Sequence, residues 1–300
     1  MKILIAGSSG MVGKALQRVL KAEGHTVFPL IRPPQIAGEG QVAWDPQNGG
    51  MDLGAAAGAD AAVNLAGANI GARRWSESRK ELLRTSRIDS TRSLVEGLGK
   101  LEPRPRVLVS ASAVGYYGNR GDDPLDEDST AGDGFLARLC VDWEAEARRA
   151  EGLGIRTVVL RLGVVLSGRG GALAQMLGPF RMGVGGRLGS GKQWMTWISL
   201  ADVVRMMKEA IESEQWRGVY NAVAPEPVTN QEFTKALGHV LHRPTIFPVP
   251  VFALRTIFGE MADEMLLASQ RTRSKRLAET GYQYSNPELE PALRQAITQS

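Results

Sequence analysis

Residues 1–32 read MKILIAGSSGMVGKALQRVLKAEGHTVFPLIR, and this stretch decides the fold. Ile3–Ala6 is a short apolar run that ends on a glycine. Met11–Leu20 then carries its apolar residues at helical spacing, and Thr26–Ile31 returns to β-branched and apolar residues. The pattern predicts a β-α-β unit. Its first turn, Gly7-Ser8-Ser9-Gly10-Met11-Val12-Gly13, holds three glycines where the strand passes into the helix. Glycines there permit a tight turn, bring backbone amides close to a pyrophosphate and let helix pack on strand, while the helix N-terminus favours negative charge. A dinucleotide site is therefore expected. At the end of the second strand, where an NAD site would hold a carboxylate for the ribose 2′-hydroxyl, this chain has Arg32, nineteen residues past Gly13. An arginine at that point forms charge-assisted bonds to a 2′-phosphate, which predicts NADP; the alternative is a solvated arginine at a strand end.

Working outward, the alternation repeats. Ala61–Ala66, Val107–Ser110 and Thr157–Leu162 have strand character, and Ser78–Leu98 and Phe135–Ala150 have helical spacing. The fold class expected is α/β: a Rossmann-type doubly wound parallel sheet with a smaller, mainly helical C-terminal substrate lobe. Residues 1–166 make the dinucleotide-binding domain, and 196–224 return to it through a helix at Val203–Ile211 and a strand at Val219–Ala222. Residues 167–195 and 225–300 form the lobe. The stretch 167–192 is glycine-rich and is expected to be loop, whereas Asn230–Leu241, Val251–Gln270 and the chain after Pro287 are expected to be helical.

Composition narrows the function classes. The chain has 300 residues, 43% hydrophobic and 23% charged, with a formal net charge of +4 whose basic residues are spread rather than blocked. Nucleic-acid binding gains no support, and a small anionic ligand suits the balance better. One cysteine, Cys140, excludes an intramolecular disulfide framework, and three histidines supply a metal centre poorly, so no metal is expected. The glycine-broken start does not resemble a secretory signal, and no apolar run reaches membrane-spanning length, so no membrane partner and a cytoplasmic location are expected. Oligomeric state is left open.

Several motifs together resemble a known family. The G-x-x-G-x-x-G spacing, Asn64-Leu65-Ala66-Gly67, the segment from Ser110 to Gly118 and Trp197-Ile-Ser-Leu-Ala-Asp202 are similar to an extended short-chain dehydrogenase/reductase. More narrowly, Trp44-Asp-Pro46, Arg73-Arg-Trp75, Ser86-Arg87, Asp142-Trp-Glu144 and Pro225-Glu-Pro-Val-Thr-Asn230 resemble the atypical, NAD-dependent epimerase-like group. The segment from His242 to Tyr282 resembles that group's small C-terminal domain. The resemblance implies that the glycine loop takes the pyrophosphate and Arg32 the adenosine phosphate. It also implies that Leu65, Ala66 and Gly67 lie beside adenosine and ribose, and that Arg87 and Arg161 approach the cofactor. Each arginine also has a bland alternative, a charged helix face for Arg87 and a sheet edge for Arg161.

Typical members carry a tyrosine and, four residues later, a lysine on a helix beside the nicotinamide, and the pair moves the substrate's proton. Aligned through Glu144, this chain has Leu136 and Cys140 there. Neither does that work. Phe135, Leu136, Leu139, Cys140 and Trp143 form one apolar stripe, so Cys140 is expected to be a core residue. Substitute proton donors are sought in Ser112, Tyr116 and Tyr117, and Gly183–Gly191 with Arg187, Lys192, Trp194 and Trp197 has the composition of an anion-holding surface. The function expected is an NADP(H)-binding epimerase-like oxidoreductase acting on a small-molecule substrate, nucleotide-linked in ordinary extended members. The alternative is a non-catalytic NADP(H)-binding regulatory or partner-binding protein.

Overall fold

In the computed structural model, which describes residues 1–48 and 50–298, β1 (Lys2–Ala6) lies inside an eight-stranded sheet. The other strands are β2 (Thr26–Ile31), β3 (Val42–Asp45), β4 (Gly50–Met51), β5 (Ala61–Asn64), β6 (Val107–Ala113), β7 (Arg156–Leu162) and β8 (Gly218–Ala222), in the order β8-β7-β6-β5-β1-β2-β3-β4. Every neighbouring pair is parallel except β3 with β4. The chain leaves β1 toward β2 on one side and crosses back to β5 on the other. The strand ends of β1 and β5 therefore flank the crevice where such sheets bind ligands.

Strand periodicity sorts the core. Ile3 and Ile5 join an apolar cluster with Leu16 and Leu20 of α1 (Met11–Ala22) and with Val203, Met206 and Met207 of α6 (Leu200–Glu212). Leu4 and Ala6, on the opposite face, join Leu94 and Leu98 of α3 (Ile88–Gly99). Helices thus cover both faces, which is why the strands read as continuous apolar runs rather than alternating ones. Burying each Leu in these layers contributes about 1.5–3 kcal/mol. A third cluster unites α5 (Gly171–Arg181), α7 (Asn230–Leu241) and α9 (Leu289–Thr298) through Leu173, Leu177, Phe180, Phe233, Leu237 and Leu293.

Four local expectations are corrected. The helix expected over Ser78–Leu98 is two, α2 (Glu77–Thr85) and α3, because the Ser86 hydroxyl donates back to the Leu83 carbonyl and accepts the Ala68 amide, diverting the backbone at Ser86-Arg87. The glycine-rich stretch 167–192 contains α5, whose Leu173, Leu177 and Phe180 recur at helical spacing that Gly170 and Gly171 at its start and Gly178 within it obscure. Val251–Gln270 is interrupted: α8 (Val251–Phe258) ends at Gly259, φ 62°, and a wider turn follows over Ala262–Leu266. The short β3 and β4 extend the sheet edge beyond the expected strands.

Candidate nucleotide and proton-transfer site

The turn after β1 is a backbone cradle. Gly7 has φ 76°, and a Cβ on it would lie 2.4 Å from the Leu65 carbonyl oxygen at the end of β5. A Cβ on Gly13 would lie 2.4 Å from the Gly7 carbonyl oxygen. Both positions therefore require glycine for close approach, Gly7 also for its conformation. Gly10 sits at the N-cap of α1 and no side chain caps the helix there. Ser8 is buried and Ser9 exposed, while Met11 and Val12 are half-buried, with Met11 packed near Gly170 at the start of α5.

Arg32 is exposed immediately after β2 and borders a cavity of about 600 Å³, lined also by Pro46, Gln47, Thr85, Ser86 and Ser90. Across the crevice, the Asn64 side chain accepts the Ala66 amide at 3.2 Å and donates to Thr91 at 2.8 Å, which shapes the Leu65-Ala66-Gly67 turn. Arg87 lies flat beside that turn: a Cβ on Gly67 would be 3.1 Å from its guanidinium carbon. Its guanidinium donates to the Leu83 and Ala68 carbonyls and stands 5.3 Å from the Trp143 ring. Burial pushes Arg87 down to about 10, and the charge of Arg79 adds to that shift.

The ends of β6 and β7 are different in kind. Arg161, 3% exposed, donates from Nε and Nη2 to the two carboxylate oxygens of Glu144 at 2.8 and 2.9 Å. Glu144 belongs to α4 (Phe135–Arg148), and its carboxylate also accepts Ser112 Oγ at 2.7 Å. Burial opposes the Arg161 charge, but Glu144 overrides it and holds the guanidinium above its ordinary value. Tyr117 is fully buried; its hydroxyl accepts from Arg161 Nη1 at 3.0 Å and is within 2.8 Å of both Asp126 O and Asn221 Oδ1. Burial pushes this phenol up to about 12. Ser112 and Tyr117, two of the three proposed donors, are thus committed to an internal network. The third, Tyr116, is half-buried, its ring lying 3.3 Å under the Arg161 guanidinium, and among the described residues its hydroxyl bonds to no protein group.

Leu136 and Cys140 are buried on the face of α4 expected for a catalytic pair. Burial, with Glu144 nearby, pushes the Cys140 thiol up to about 11. Only a thiolate is a useful nucleophile, so this one is core. Sequence reasoning used Glu144 only to align the helix and missed its role. The signal was available, because positions 136, 140 and 144 share one helix face and an acid on an apolar stripe requires a partner. It also missed Glu264, whose carboxylate accepts the Phe135 and Leu136 amides at 2.8 and 2.9 Å and so caps α4 from the C-terminal segment. Glu264 and Leu136 line a second cavity, of about 460 Å³, with Asn119, Arg120, Thr130 and Asp133.

The anion-holding surface expected over 183–197 is largely used internally. Trp197 is buried in the third core cluster, Arg187 bonds its own loop at the Ser190 carbonyl, and Trp194 donates to Asp122 with Arg271 against its ring. One group of potential metal ligands occurs among the described residues, Glu23, His25 and Glu212, but Lys208 pairs with Glu23 at 2.6 Å. No helix among the described residues is long and apolar enough to cross a membrane.

A doubly wound sheet with a glycine cradle at its switch point defines a dinucleotide-binding α/β protein, and the cradle's need for bare backbone at Gly7 and Gly13 fits such a group. Residues 3–222 match the NAD dependent epimerase/dehydratase family, and the chain belongs to that family in its atypical, extended short-chain form. Residues 249–296 match a domain of unknown function, DUF1731. The epimerase family protein Mb2239 of Mycobacterium bovis is 46% identical over 296 residues, covering 99% of this chain and 97% of the relative. The crystal structure of human epimerase family protein SDR39U1 with NADPH has a TM-score of 0.90 and 38% identity, covering 99% of each chain. MoeE5 in complex with UDP-glucuronic acid and NAD, at 16% identity and a TM-score of 0.79, shares the fold.

Proposed function

We propose that this chain is an NADP(H)-binding, epimerase-like oxidoreductase that works without a Tyr-x-x-x-Lys pair. The observation that carries the reading is the cradle of Gly7 to Gly13, open at the N-terminus of α1, with Arg32 at the far end of the crevice beside a 600 Å³ cavity. NADPH on the 38% identical human relative supports the choice of cofactor. In this reading the loop amides take the pyrophosphate, Arg32 the 2′-phosphate, and Leu65, Ala66 and Gly67 border adenosine and ribose. Bound nicotinamide supplies or accepts hydride. Arg87 faces the cofactor from beside Gly67, whereas Arg161 acts from behind, holding Tyr116 by its ring.

Tyr116 is then the group that exchanges a proton with a substrate oxygen, since Ser112 and Tyr117 already spend their hydroxyls on Glu144, Asp126 and Asn221. The substrate is a small carbonyl or hydroxyl compound, nucleotide-linked or not, held under the lobe of residues 167–195 and 225–300, where the 460 Å³ cavity beside Leu136 offers room. Fluorescence titration with NADPH and NADH tests the cofactor. Arg32→Ala is expected to weaken NADPH by roughly 10- to 100-fold, from charge-assisted bonds of about 1.5–3 kcal/mol, and to leave NADH unchanged. Equal affinity for both cofactors, unaltered in the variant, would remove the role given to Arg32.

A second reading, a non-catalytic NADP(H)-binding protein, is favoured by one observation: the face of α4 where a proton pair is expected holds only buried Leu136 and an inert Cys140 thiol. NADPH oxidation across a carbonyl panel separates the two. Turnover lost in Tyr116→Phe supports the enzyme, and tight NADPH binding with no turnover supports the second reading.

A further inference from the structure

Between residues 77 and 92 the chain pairs most of its cations with carboxylates. Lys80 meets Glu77 and Glu260, Arg84 meets Asp142, and Arg92 meets Asp89 and Glu146. Arg79 and Arg87 are the exceptions: among the described residues neither has an acidic partner. Their guanidinium groups bond instead to the carbonyls of consecutive residues in the turn after β5, Arg79 to Asn69 and Arg87 to Ala68, with a further bond from Arg87 to Leu83. Nε of Arg79 is buried with no hydrogen-bond partner.

Neutral carbonyls satisfy donors but do not cancel charge. Two guanidinium groups are held on the carbonyls of consecutive residues, the buried Nε of Arg79 is left without an acceptor, and an anion between the two groups would supply both that acceptor and a counter-charge. Planar donors in pairs also match the oxygens of a phosphate or carboxylate. We propose that Arg79 and Arg87 form a two-guanidinium receptor for a phosphate-type anion at the turn Gly67–Asn69. The proposal deepens the nucleotide-site reading at Arg87 and adds Arg79 to it, and the anion comes either from the cofactor or from the substrate.

The test is calorimetric titration of the full-length protein with inorganic phosphate and with NADPH, in wild type, Arg79→Gln and Arg79→Lys, with thermal melts to verify folding. Phosphate affinity is expected to fall at least tenfold in Arg79→Gln and less in Arg79→Lys, which keeps the charge and loses Nε. If Arg79→Gln also weakens NADPH, and NADPH saturation blocks phosphate, the anion is the cofactor's. If NADPH affinity is unchanged and the saturated protein still binds phosphate, the anion is the substrate's. Phosphate and NADPH affinities both unchanged in Arg79→Gln, or no phosphate binding by wild type with NADPH binding unaltered in the variant, overturn the proposal. A failure of the cofactor reading is seen separately, in Arg32→Ala.

Discussion

The two halves of the crevice are built from opposite materials. At the ends of β1 and β5 the walls are backbone: Gly7, Gly13 and Leu65 approach so closely that a single Cβ would collide at 2.4 Å, and the groups presented are amides and a helix N-terminus. At the ends of β6 and β7 the walls are side chains that satisfy one another, with Ser112 and Arg161 on Glu144, and Tyr117 between Arg161 and Asn221. The first half presents bare backbone with no side chain capping the helix. The second is already satisfied within the protein, and Tyr116, the proton donor proposed above, lies at its rim. Family membership therefore transfers unevenly across one site, strongly where the requirement is steric and weakly where it is a particular proton donor.

The comparison breaks first at Glu144. Removing one partner leaves a buried charge unpaired, so Arg161→Ala or Glu144→Ala should cost about 3–5 kcal/mol, while Arg161→Met with Glu144→Leu should cost far less. Urea denaturation of the three variants decides this, and a cost below about 1 kcal/mol for the single changes would show the network to be dispensable. Next comes the backbone half. Gly13→Ala must displace the Gly7 carbonyl and should cost about 1–3 kcal/mol of stability and more than about tenfold in NADPH affinity, measured by melting and by titration.

The smallest effect concerns Cys140. Its pKa is raised in the folded state to about 11, so the neutral thiol is the favoured form. The associated stability is fully present below the unfolded-chain value of roughly 8.5 and is lost as pH rises through the folded value. Between about pH 9 and 11 the wild type should therefore lose stability faster than Cys140→Ala, and iodoacetamide should label the native protein at pH 8 only as fast as it unfolds. Rapid native labelling at pH 8 would make the thiol a reactive centre.

The glycine turn was legible because its requirements are local. Gly7, Gly10 and Gly13 are three residues apart on one turn, and Arg32 follows the next strand. The Asn230–Leu241 helix was equally local, opened by a Thr229 and Glu232 capping box. The side-chain half was not legible, because its partners are far apart in the chain: Glu144 with Ser112 and Arg161, Tyr117 with Asn221, and Glu264 with the amides of Phe135 and Leu136. The helix break at Ser86 was hidden for the same reason, since the distant Ala68 amide ends the helix there, whereas the break at Gly259 is a local positive φ across which apolar periodicity continues.

By itself the sequence determined the α/β order, the parallel sheet, the glycine cradle and the absence of tyrosine and lysine on α4, all of which depend on periodicity, steric need or residue identity within one or two elements. Only the tertiary structure decided which polar groups are already used: that Ser112 and Arg161 share Glu144 while Tyr117 bonds Arg161, that Tyr116 is left at the rim, and that Arg79 and Arg87 share one turn without an acidic partner among the described residues. Whether a donor or a charge is satisfied depends on what folding brings beside it, and in this chain those neighbours come from strands, loops and helices as many as 187 residues away.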